Sequence, residues 1–271
     1  MEKWQLGAVG ALVATFALFG FMARQNSANP NPFGGDAIVS GKPGATGGQK
    51  APFTPPDPSR FDGQPLPPWP SVTQWTNTPA PVKLGDLKGK PAFVEVFRTG
   101  CSHCQDAAPF VAQLHARYAP RGVQFVAIQS PAQGGDPENP ENNWPAVQGW
   151  AKDKGYTWPL GFDEKSQWFQ KTVKGDFYPS LWVLDSNGKV VGFYTGHDES
   201  KALRLAAMLE RVAPGPGNAQ TRAADVLAWT LKVLGGQADP SLQKSITDAI
   251  AGYLQGKQTA PAAPAMAPKP A

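Results

Sequence analysis

The chain of 271 residues holds two cysteines, and they stand three positions apart in Cys101-Ser102-His103-Cys104. Residues i and i+3 of a helix share a face, so at a helix start two such sulfurs can close a small disulfide ring. The first of them would also sit beside unpaired N–H groups and the positive end of the helix dipole, which favour thiolate over thiol. Cys101 is then the low-pKa nucleophile that attacks a partner disulfide, and Cys104 the more buried thiol that resolves the mixed disulfide. Two other uses of the pair are weaker. A structural disulfide over so short a loop would stabilise the fold little, because the entropic benefit grows with loop length. Zinc would need two further ligands from His103, His115 or His197, and none of these has paired metal-ligand spacing. No metal is expected, and no cofactor beyond the Cys101–Cys104 disulfide itself.

The flanking residues supply the helix start that this chemistry requires. Pro91-Ala92-Phe93-Val94-Glu95-Val96-Phe97 is apolar and β-rich, a buried strand interrupted by one acid, and it leads directly into the cysteines. Phe110, Val111, Leu114, His115 and Tyr118 recur at spacings of three and four, one buried face of a helix running from residue 101 to 118. Val123–Ile128 is a second strand, which makes a βαβ unit with parallel pairing. If Glu95 faces inward it is desolvated, its pKa rises, and it can relay protons near neutral pH; facing outward it is an ordinary solvated acid.

Further along, Ser130 to Asn143 is rich in Pro, Gly, Asn and Asp and reads as a loop, followed by a helix from Pro145 to Lys154. A short strand at Trp158–Phe162 and a helix at Glu164–Lys174 are expected next. Strands at Ser180–Asp185 and Val190–Thr195 flank Ser186-Asn187-Gly188-Lys189, a strong hairpin signal. A helix from Glu199 to Val212 closes this domain. Two more, Ala219–Leu234 and Pro240–Leu254 with Asp239 as cap, form a small helical extension. The stripe Leu242, Ile246, Ile250 and Leu254 calls for a packing partner.

Composition sets the outer limits. The net charge is +4, from 25 basic and 21 acidic residues without any basic run, which argues against nucleic acid as a partner. The excess of Pro and Gly, 29 of each, has to lie outside the elements above. Trp4 to Ala23 is an uncharged apolar run of about 30 Å as a helix, long enough to span a bilayer once, and it lacks a clean signal-peptide cleavage site. Residues 24–71 carry 11 Pro and 7 Gly and are expected to form an unfolded tether, and 256–271 an unfolded Pro/Ala tail. The organisation expected is therefore an anchor at 1–23, a linker at 24–71, a redox domain at 72–213, a helical extension at 214–255 and the tail. Charges on either side of the apolar run are too balanced to orient it. A lone redox dithiol with no spare thiols suits an oxidising exterior, so the domain is expected on the extracytoplasmic side.

From about Val82 to Val212 the chain resembles the thioredoxin superfamily, in particular its membrane-tethered TlpA/ResA-like branch. Cys101-Ser102-His103-Cys104 matches the Cys-x-x-Cys site. Pro109 falls where thioredoxins carry a proline in the active-site helix. Glu95, six residues before Cys101, stands where thioredoxin has a buried acid that exchanges protons with the resolving cysteine. Tyr178-Pro179-Ser180 matches the family's cis-proline segment. The resemblance implies an α/β fold, a three-layer α/β/α sandwich around a mixed central sheet. It also implies that Tyr178 offers backbone groups to an extended substrate chain, that Pro179 keeps metal from the thiols, and that Ser102 and His103 face the substrate.

Three features depart from the branch: Gly100 replaces a common aromatic, the Ser130–Asn143 loop is long, and His103 replaces a common Pro. The His resembles disulfide-forming members. The implied partners are proteins with thiols or a disulfide, and a membrane electron donor or acceptor upstream. The leading expectation is a reductant of extracytoplasmic thiols, as in cytochrome c maturation or metal-site assembly. A disulfide-introducing oxidase is the runner-up, and a copper chaperone using Cys101, Cys104 and His197 the third reading.

Overall fold

The computed structural model describes residues 61–132, 140–196, 198–236 and 239–257. The apolar run Trp4–Ala23, most of the proposed linker, His197 and the tail from residue 258 lie outside the described residues. Among the described residues no helix is long and apolar enough to cross a membrane.

Six strands make one mixed sheet: β1 (Gln74–Thr76), β2 (Ala92–Phe97), β3 (Gln124–Gln129), β4 (Leu160–Phe162), β5 (Ser180–Leu184) and β6 (Val190–Thr195), ordered β1-β4-β3-β2-β5-β6. β2 runs parallel to β3 with Glu95 opposite Ala127, and antiparallel to β5 with Glu95 opposite Leu181. Every residue of β2 is buried, which its near-continuous apolar run already required of a central strand. Alternation along the strand sends Phe93, Glu95 and Phe97 to one face and Ala92, Val94 and Val96 to the other.

The first face carries the helices. α1 (Ser102–Tyr118) buries Cys104, Ala107, Ala108, Val111, Leu114 and Tyr118 against it, joined by α2 (Trp144–Asp153) and α3 (Glu199–Val212). α4 (Ala219–Leu234) and α5 (Pro240–Leu254) extend the same core with Val226, Leu227, Ile246 and Ile250. The stripe on α5 thus meets the other helices of this one unit. Glu210, fully buried on α3, ties them together: it receives Arg121 at 2.6 Å and the Gly215 N–H at 2.7 Å, while Arg222 from α4 donates to its carbonyl at 3.3 Å.

The opposite face is covered more thinly than a full helical layer. A π-helix at Gln167–Val173 stands where an α-helix over Glu164–Lys174 was expected. Its start is fixed by the buried Asp163 carboxylate, which accepts from the Trp168 and Phe169 N–H groups at 3.1 and 3.0 Å. Ser166 adopts φ 50°, and the wider turn brings the adjacent Trp168 and Phe169 both against Trp182. The rest of this layer corrects the expected linker boundary. Leu66 and Trp69, at 2% and 4% exposure, are core residues, and the Trp69 indole donates to Val82 O at 2.7 Å. Proline-rich chain can lie flat on a sheet because it needs no ladder partners, and the two large apolar side chains set among the prolines give it something to bury. The hairpin also differs from the simplest reading of Asn-Gly. Only Gly188 has positive φ, and the Asp185 carboxylate organises a longer turn by accepting from the N–H groups of Asn187 and Lys189, each at 2.9 Å.

If residues 61–71 belong to the core, Leu66→Ala lowers the unfolding free energy by about 2–4 kcal/mol, as core truncations do. Urea unfolding of the chain measures this, and a change below about 0.5 kcal/mol would restore the tether.

Candidate active site

β2 ends at Phe97, three residues turn the chain, and Cys101 becomes the N-cap of α1 in an extended conformation (φ −86°, ψ 120°). Its carbonyl accepts from the N–H groups of Cys104 and Gln105 at 3.1 and 3.0 Å, and its own N–H donates to Arg98 O at 3.2 Å. The connecting turn is held from outside. Gln129 at the end of β3 accepts from the Thr99 N–H at 3.1 Å and donates to Glu141 O at 3.2 Å, while Gln105 donates to Thr99 O. Both cysteines are free, Cys101 half-buried and Cys104 fully buried. Ser102, His103 and Pro109 lie on the exposed side of α1.

The two sulfurs are pushed in opposite directions. A hydrogen bond from the Cys104 thiol does most to hold the Cys101 thiolate, aided by the Cys104 N–H, the charge of His103 and the His103 N–H. Together they outweigh partial burial and bring Cys101 down to about 6. Cys104 is pushed far up by burial first, then by its bond to Cys101 and the nearby Cys101 and Glu95 charges. Near neutral pH one thiolate is therefore exposed enough to attack, and one thiol waits behind it.

Glu95 points to the same side of the sheet as Cys104 and is wholly buried. Desolvation raises its carboxyl to about 8, opposed by a hydrogen bond from the Tyr156 hydroxyl to Oε1 at 3.1 Å; Oε2 has no hydrogen-bond partner. At pH 7 roughly a tenth of such a group is ionised, a reservoir that takes or gives a proton without extreme cost.

Tyr178 approaches from the far side. Its carbonyl lies 3.7 Å from Cys101 Sγ, the Tyr178–Pro179 bond is cis, and its ring packs on Phe169 at 4.9 Å. Pro179 is buried at the foot of β5. Arg98 sets its guanidinium 5.3 Å from the Tyr178 ring and makes a two-pronged ion pair with Glu141, both contacts at 3.0 Å. Glu141 lies against Gly100: a Cβ there would overlap the Glu141 carboxylate and displace it from its pair with Arg98. Arg98, Gln129, Glu141 and Tyr156 escaped the sequence reading. A signal existed for one of them, since a glycine in place of a bulky side chain asks what fills the space. Among the described residues no three His, Cys, Asp or Glu side chains gather as a metal site.

Alkylation of Cys101 by iodoacetamide should rise with pH around a midpoint near 6. His103→Ala should move that midpoint up by only about half a unit, because an exposed charge is screened. The raised Glu95 carboxyl carries a separate, thermodynamic signature. Between about 4.5, its ordinary value, and about 8 the unfolded chain has shed a proton that the folded chain keeps, so this group lowers stability as pH rises through that window. The stability difference between Glu95→Gln and the parent should therefore grow in favour of the variant by on the order of 3–5 kcal/mol from pH 4.5 to 8. Denaturant unfolding across pH checks this, and a pH-independent difference would place Glu95 in water.

The Redoxin family profile matches residues 61–209, more than half of the chain. The thiol-disulfide oxidoreductase ResA of Bacillus anthracis is 26% identical over 133 residues, covering 49% of this chain and 69% of that protein. ResA of Bacillus subtilis strain 168 is 27% identical over 115 residues, covering 42% and 58%. Among solved structures, a thioredoxin-like protein in its oxidised form aligns at 21% identity and TM-score 0.47, over 55% of this chain and 97% of that one. On the family match, the chain belongs to the Redoxin family, as a TlpA/ResA-like thiol-disulfide oxidoreductase of the thioredoxin superfamily.

Proposed function

We propose that the chain reduces disulfides in extracytoplasmic proteins through the Cys101–Cys104 dithiol, with cytochrome c haem-attachment cysteines or metal-site thiols as the substrate class. In this reading Tyr178 and Pro179 seat an extended substrate segment beside Cys101, with Ser102 and His103 at its edge. The Cys101 thiolate attacks one sulfur of the substrate disulfide, and the substrate leaves as one thiolate while joined to Cys101 through the other sulfur. Cys104 then loses its proton to Glu95 and attacks Cys101 Sγ, which expels the second substrate sulfur. Two electrons pass to the substrate, and the enzyme keeps a Cys101–Cys104 disulfide. A membrane-bound thiol donor must reduce it again, and Trp4–Ala23 is the proposed anchor that keeps the domain beside that donor.

The observation that carries the direction is the Cys101 pKa of about 6. A more acidic nucleophile stabilises the reduced form and makes a stronger oxidant, and this value lies closer to the ~7 of thioredoxin than to the ~3.5 of the strongest thiol oxidant. His103 favours the oxidase reading by stabilising the thiolate, but as an exposed residue it acts as a minor contributor.

Equilibration with glutathione or dithiothreitol buffers gives the reduction potential. A value near −270 mV supports the reductant, and one near −120 mV overturns it in favour of the oxidase. In parallel, Cys104→Ser should accumulate mixed disulfides through Cys101 with periplasm-type thiol proteins, and none should form when Cys101 is also replaced.

A further inference from the structure

Tyr156 stands in no motif, yet among the described residues it is the side chain that hydrogen-bonds the buried carboxyl on which the proposed proton transfer depends. Its placement is over-determined. α2 ends at Asp153, and two residues on Gly155, with φ +75°, turns the chain back toward the sheet. The Tyr156 N–H donates to Ala151 O at 2.8 Å, and the Asn77 amide donates to the carbonyls of Tyr156 and Trp158 at 2.9 and 3.2 Å. Its ring is held among Trp158, Trp150 and Phe97, at 4.3, 5.3 and 5.7 Å between centroids. A phenol clamped this way delivers its hydroxyl to one fixed point, and that point is Glu95 Oε1.

The consequence concerns the other oxygen. With Oε1 engaged by a donor, Oε2 is buried and has no hydrogen-bond partner among the described residues, which makes it the more available oxygen for an incoming proton. Cys104 is the buried group that couples electrostatically to both Glu95 and Tyr156. Among the remaining neighbours, β3 and β5 place Ala127 and Leu181 beside Glu95, α3 buries Ala202, Leu205, Ala206 and Leu209 together with Glu210, whose carboxylate is paired with Arg121, and His115 on α1 stacks on Trp158 at 4.5 Å. We propose that Tyr156 is a positioning residue for the resolving step: its hydroxyl pins Oε1 of Glu95 and so reserves Oε2 to take the proton from Cys104. This rests on Glu95 serving as the proton acceptor proposed above. In the step itself the Cys104 S–H bond breaks, its proton goes to Oε2, and the freed electron pair forms the bond to Cys101 Sγ as the substrate thiolate leaves.

The test follows resolution of a mixed disulfide between Cys101 and a small chromogenic thiol, by stopped flow across pH. In the parent chain the rate should climb with a midpoint near 8. Tyr156→Phe removes a donor that stabilises the carboxylate, so the midpoint should move up by on the order of one pH unit, leaving about tenfold less ionised Glu95 and a tenfold slower step at pH 7. Fluorotyrosine at position 156, which keeps the ring and strengthens the donor, should move the midpoint down while leaving thermal unfolding unchanged. On a Glu95→Gln background neither change should alter the rate further. If Tyr156→Phe slows the Glu95→Gln chain by the same factor, or if fluorotyrosine leaves the midpoint in place, Tyr156 is a packing residue and the inference fails alone. If Glu95→Gln leaves the parent pH profile intact, the acceptor role of Glu95 fails, and the inference falls with it.

Discussion

Burial denies Glu95 and Cys104 the water that would stabilise their charged forms, and the two stand close enough to oppose each other's ionisation. Only one negative charge is tolerated easily in this neighbourhood, and in the resting dithiol it belongs to Cys101, the sulfur at the helix start that protein donors and partial exposure can support. When Cys101 enters a mixed disulfide its charge disappears. The electrostatic objection to ionising Cys104 is then reduced at the moment when Cys104 must become a nucleophile, and Glu95 is poised to receive its proton. The sheet enforces this arrangement, because a carboxyl on the central strand has no route to solvent on either face.

The walls of the site are built by chain segments far apart in sequence. Arg98 leaves β2 and meets Glu141, 43 positions further along the chain, at the end of the long loop after β3. Their ion pair is partly shielded, its Glu141 side only 7% exposed, and it closes against Gly100 and the Tyr178 ring. A charged pair and a glycine thus flank the nucleophile, which gives the mouth of the site a polar character on the side where Tyr178 O would meet a substrate chain.

The chemistry-bearing residues were legible because their signals are local. The cysteine spacing, the apolar strand before it and the three-and-four periodicity after it all lie within residues 91 to 118, and they placed Cys101, Cys104 and Glu95 where the structure has them. Tyr156 was not legible, since a tyrosine between Gly155 and Thr157 carries no pattern and its partner lies 61 residues away. The π-helix failed for a different reason. Its residues are ordinary helix formers, and only the need to bury Trp168 and Phe169 together, with Asp163 capping the first turn, widens it. Composition misled at residues 61–71, where proline content suggested a tether while Leu66 and Trp69 supplied the apolar area that holds the segment to the sheet.

The central claim is that a carboxyl buried beneath the dithiol exchanges its proton near physiological pH, and so can take one from Cys104 when ionised. Carbon-13 NMR of the reduced chain, with side-chain carboxyls labelled and the Glu95 resonance identified by its loss in Glu95→Gln, measures this directly. The account predicts that the Glu95 carboxyl titrates near pH 8. A midpoint at the ordinary 4.5 would contradict it, and would leave the carboxylate too weak a base to draw the proton from Cys104 near neutral pH.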